Sequence, residues 1–102
     1  MTTLHTVNKS PFERNALKSC LAHAADGDSI LMIEDSVVGA RKGTAIDATL
    51  RQQQSACVIY VLGPDLAARG IKPDDLIEGV RIVDYKGFVE LAANSARVCA
   101  WL

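Results

Sequence analysis

Ala56-Cys57-Val58-Ile59-Tyr60-Val61-Leu62, closed by Gly63-Pro64, is the clearest strand in the sequence. It is a short, unbroken apolar run rich in β-branched side chains and bounded by turn residues. That pattern suits a strand covered on both faces, as in a parallel sheet. Ser29-Ile30-Leu31-Met32-Ile33, closed by Glu34-Asp35, repeats it upstream. Leu4-His5-Thr6-Val7 reads as a short opening strand, and Val80-Arg81-Ile82-Val83 as a further one.

Helical signals fill the gaps between these runs. Ser10-Pro11-Phe12-Glu13 carries an N-cap, a proline at the first helical position and the carboxylate of a capping box. The spacing predicts a helix from about Pro11 to about Ala25, with Phe12, Ala16, Leu17, Cys20, Leu21 and Ala24 on one apolar stripe. Asp26-Gly27-Asp28 stops it. A short helix near Val37–Ala40 and a second from Thr44 to about Gln53 are expected around a turn at Lys42-Gly43. Asp65 to Gly70 reads as a brief helix, and Pro73 to Ile77 as a loop or single turn. Asp84 starts a helix through Phe88, Val89, Leu91 and Ala92, and the tail from Val98 to Leu102 is apolar to its end. Alternating strands and helices imply right-handed crossovers. The expected fold is α/β: a small three-layer open sheet, mainly parallel, with helices on both faces. At 102 residues the chain is one domain spanning 1–102.

Composition excludes several classes of function. Hydrophobic residues make up 49%, which suits a globular protein and not a disordered tail. A net charge of −1 with no cationic cluster offers no footprint for direct nucleic-acid binding. No apolar run approaches the roughly 18 residues that span a bilayer. The first residues lack the basic and apolar regions of a signal peptide, so a cytoplasmic location without membrane contact is expected.

No phosphate-binding glycine motif follows a strand, so no nucleotide cofactor is called for. Glu34-Asp35 lacks the further ligands of a metal site and reads as a helix start with a solvated neighbour. His5 and His23 have no partner at ligand spacing and read as structural or surface residues, so no metal is expected. Cys20, Cys57 and Cys99 are too widely spaced for a redox pair or zinc knuckle, and are expected as free thiols. Cys57 lies inside the most apolar strand, where a thiol packs as a small hydrophobe. Cys99 has no evident activating neighbour in sequence. Cys20 falls near the centre of the helical stripe, and its periodicity alone predicts burial.

Several segments together resemble the DsrH/TusB family of sulfur-relay proteins. They are the opening Leu4 to Phe12, Glu34-Asp35, the run from Val61 to Gly70, Val83-Asp84-Tyr85 with Phe88-Val89, and the terminal Ala100-Trp101-Leu102. They span nearly the whole chain in the family's order. The opening and Cys20 look most like the DsrH branch of sulfur oxidisers, since the TusB branch typically lacks a cysteine there. The resemblance implies a DsrEFH-type sulfurtransferase complex: a heterohexamer with two copies each of DsrE-like, DsrF-like and DsrH-like subunits. Sulfur would travel as a cysteine persulfide toward a DsrC-like acceptor, with no cofactor. Cys20 matches the family's cysteine and is the candidate persulfide carrier, while a DsrE-like partner would hold the principal active cysteine. Such a carrier would work only at a subunit interface. Three alternatives stand beside this reading: a TusB-like subunit in tRNA 2-thiouridine synthesis, a non-catalytic structural subunit of the hexamer, and an unrelated α/β binding module.

Overall fold

A computed structural model describes residues 2–102. Its strands are β1 (Thr3–Val7), β2 (Ser29–Met32), β3 (Val58–Leu62), β4 (Arg81–Val83) and β5 (Arg97–Trp101). They form one sheet in the order β4-β3-β2-β1-β5, with every pair parallel. The helices are α1 (Ala16–His23), α2 (Asp47–Gln53), α3 (Gly63–Ala68) and α4 (Tyr85–Asn94), with 3-10 turns at Glu34–Ala40 and Pro73–Asp75.

Strand order dictates the layers. From β1 to β4 the chain steps always in one direction, so right-handed crossovers put α1, α2 and α3 on the same face. From β4 it returns across the whole sheet to β5, which sends α4 over the opposite face. Burial follows this division. Val7, Ile30, Met32, Ile59 and Val61 alternate along the strands and pack with Leu17, Cys20, Leu50 and Leu66 in one core cluster. The intervening residues Leu4, Leu31 and Leu62 are buried outside that cluster, on the face that α4 crosses. Phe88, Leu91 and Ala92 are partly buried along α4, whereas Tyr85 and Val89 stay exposed. The three-layer arrangement is thus present but lopsided, with three helices against one.

The first helix is shorter than its sequence signals predict. Ser10 Oγ accepts from Phe12 N–H at 3.2 Å, and Ser10 C=O accepts from both Glu13 and Arg14 N–H. The serine therefore closes a local turn in place of a helical cap. Helix α1 begins only at Ala16, behind an Asn15 that makes no side-chain cap, and Phe12 is left exposed. The far end is cut short by chemistry rather than by glycine. Asp28 Oδ2 takes the Ala25 N–H at 2.9 Å, and the chain is already extended at Ala24. Downstream, Asp84 caps α4 as expected, accepting Gly87 N–H at 2.7 Å. The apolar tail is a full edge strand, held in register with β1 from Thr3–Arg97 to Val7–Trp101.

Candidate functional site

Cys20 sits in the middle of α1 and is fully buried, at 0% exposure. Burial pushes its thiol up to about 12, with smaller contributions from the charges of Cys99, Cys57 and Asp28. Near neutral pH it is a covered thiol and not a thiolate. Cys57 is also buried, donating its S–H to Ala25 C=O at 3.4 Å and accepting from Gln53 Nε2 at 3.5 Å. Cys99, at the centre of β5, is partly exposed.

The most organised polar group in the core lies beside these thiols, at the β1–β5 edge. His5 is the register partner of Cys99, and both are on the face covered by α1. The His5 Nε2 lies 2.9 Å from Asp28 Oδ2, and both residues are 6% exposed. Trp101 Nε1 donates to His5 Nδ1 at 3.0 Å. An indole N–H can only donate, so Nδ1 is the accepting nitrogen and Nε2 carries the proton shared with Asp28. Asp28 also accepts from Thr3 N–H at 3.0 Å and Ala25 N–H at 2.9 Å. Burial pushes its carboxyl up, but the bonds from Thr3, His5 and Ala25 outweigh this and hold it below the ordinary carboxylate value. His23, from the last turn of α1, packs against Trp101 with ring centroids 5.5 Å apart.

Both histidines therefore belong to a packed cluster. No sequence spacing brings His5, Asp28 and Trp101 together, since His5 and Trp101 are separated by 96 positions. The signal that finds them is the strand register, with β2 on one side of β1 and β5 on the other.

At the carboxyl ends of β2 and β3 the sequence places Glu34-Asp35 and Gly63-Pro64-Asp65. Glu34 adopts a left-handed φ of 51°, and its N–H donates to Asp65 Oδ2 at 2.6 Å. Asp35 pairs with Arg69 at 2.7 Å. Among the described residues no three His, Cys, Asp or Glu side chains converge as metal ligands.

Comparison with known proteins covers almost the whole chain. The family model described as "DsrH like protein" matches residues 9–98. The chain belongs to the DsrH-like family. Relatives named Protein TusB include one from Pectobacterium parmentieri, 34% identical over 98 residues, covering 96% of this chain and 99% of its own length. Another from Erwinia tasmaniensis is 35% identical over 99 residues, with the same coverage of 96% and 99%. The Escherichia coli protein is 30% identical over 98 residues, again covering 96% and 99%. The family thus reaches this chain under both the DsrH and the TusB names, and does not separate the two branches.

The fold recurs in the ychN protein from E. coli, with a TM-score of 0.79 at 17% identity over 98% of this chain and 99% of that one. A protein of unknown function from Methanobacterium thermoautotrophicum gives 0.74 at 15% identity, covering 94% and 96%. No helix among the described residues is long and apolar enough to cross a membrane.

Proposed function

We propose that this DsrH-like chain is a TusB-type subunit of a cytoplasmic sulfur-relay complex serving tRNA 2-thiouridine synthesis. The observation that carries this reading is the end-to-end similarity to proteins named TusB, at 30–35% identity. It favours the tRNA branch over the sulfur-oxidation branch that Cys20 had suggested. A DsrH-type role in sulfur oxidation, with DsrE-like and DsrF-like partners and a DsrC-like acceptor, is the second reading, favoured by Cys20 itself.

Assembly with partner subunits is supported by apolar residues that the fold leaves uncovered. Val89 is 67% exposed and Tyr85 60% on α4, and Val98 is 50% exposed on β5. The burial of Cys20 speaks against that thiol as the carrier in the closed chain. A carrier role for that thiol requires α1 to open. Deleting the gene and measuring 2-thiouridine in bulk tRNA by mass spectrometry tests the proposal. Loss of the modification is expected, and unchanged 2-thiouridine together with impaired sulfur oxidation would transfer the chain to the second reading.

A further inference from the structure

We propose that Cys99 is the thiol through which this chain takes up sulfur, with His5 Nδ1 as its base once Trp101 releases that nitrogen. The inference rests on the sulfur-relay reading and assigns its chemistry to a residue other than Cys20.

Three observations converge on the β1–β5 edge. Cys99 is partly exposed, while Cys20 and Cys57 are buried. His5 stands beside Cys99 in register on the same face. His5 is held as a catalytic base is held, with Nε2–H directed to a buried carboxylate that two backbone N–H groups fix in place. Nucleophile, base and orienting acid are the parts of an activated thiol site. The ring spans the gap between β2 and β5: Nε2 faces Asp28 at the head of β2, and Nδ1 faces Trp101 on β5. Nδ1 is thus the nitrogen directed toward the strand that carries Cys99. In this structure the Trp101 indole N–H occupies it, so the site is closed. Trp101 is itself partly exposed on an edge strand, where a docking partner can displace it.

The step balances without an oxidant. Released Nδ1 takes the proton from the Cys99 thiol. The thiolate attacks the outer sulfur of a donor persulfide, R–S–SH, and the donor S–S bond breaks. R–S⁻ leaves and is protonated from His5. The products are Cys99–S–SH and R–SH, with sulfur passed between thiols at no net change in oxidation.

The test uses the full chain and maps each cysteine by mass spectrometry. With iodoacetamide at neutral pH, Trp101→Phe removes the N–H donor and is expected to raise Cys99 alkylation by ~100-fold, the lower end of what a positioned general base contributes. Adding His5→Gln should return the rate to near the wild-type value. If the double variant reacts as fast as Trp101→Phe alone, the gain is mere exposure and His5 is not the base. A second measurement uses the opened Trp101→Phe chain: after treatment with inorganic polysulfide, the added sulfur is expected on Cys99. Added sulfur on Cys20 with none on Cys99 would overturn the assignment. Failure of the relay reading is distinguishable, because it would leave base-assisted alkylation of Cys99 intact while 2-thiouridine survives gene deletion.

Discussion

Replacing Asp28 by alanine removes the acceptor for three donors at once. The Thr3 and Ala25 N–H groups and His5 Nε2–H lose partners at 3.0, 2.9 and 2.9 Å. Each buried donor left unsatisfied costs about 1–3 kcal/mol. The two backbone groups are only part-buried and belong at the low end, so the sum is about 3–5 kcal/mol. A whole small domain is stable by only about 5–15 kcal/mol. With a urea dependence of about 2 kcal/mol per molar, the unfolding midpoint should fall by roughly 2 M. Asp28→Asn keeps one oxygen but presents an NH₂ to one of the same donors, so an intermediate loss is expected.

Acid should affect these proteins differently. The Asp28 carboxyl lies below its ordinary value when folded, against about 3.9 when unfolded. Its contribution is therefore present above the unfolded value and lost as pH falls through the folded one. The wild-type midpoint should decline on acidification below about pH 4 more steeply than that of Asp28→Asn. Urea unfolding at pH 7 and at pH 3 reads both effects. A midpoint for Asp28→Ala within experimental error of wild type at pH 7 would refute the accounting of the cluster.

Other consequences concern the thiol, the layers and the exposed face. Cys20, pushed up to about 12 by burial, contributes stability that is full below its unfolded value near 9 and is lost as pH rises toward 12; Cys20→Ala should flatten the alkaline part of a stability–pH profile. A β-carbon on Gly39 would stand 2.7 Å from Pro11 Cγ and 3.1 Å from Ile46 Cδ1. The rigid proline ring cannot yield, so Gly39→Ala should cost about 1–3 kcal/mol in a thermal or urea melt. Val89→Asp should leave the melting temperature of the isolated chain unchanged, because the side chain is mostly exposed, yet reduce copurification with partner relay subunits.

The β-branched run before Gly63 and its upstream counterpart were enough to read a parallel sheet, because a strand buried on both faces leaves a continuous apolar signature. The β4 and α4 signals survived too, since Asp84 caps its helix through a local contact. Readings failed where a distant or competing side chain intervened. Asp28 captured the Ala25 N–H and shortened α1, and the Ser10 turn displaced the helix start. The tail showed no strand period of its own, and its pairing with β1 is a property of the whole sheet. The site divides the same way. Burial of Cys20 was legible in its stripe, whereas the union of His5, Asp28 and Trp101 depends on strand register across the length of the chain. The family segments Leu4-His5-Thr6 and Ala100-Trp101-Leu102 gain a physical meaning from that union: they are adjacent strands joined by the bond from Trp101 to His5.

A role in the tRNA relay is open to complementation. This chain, expressed in an E. coli strain lacking its own TusB, should restore 2-thiouridine in tRNA, measured by mass spectrometry. Failure to restore it, with the chain folded and bound to the host partner subunits, would contradict a role in the tRNA relay.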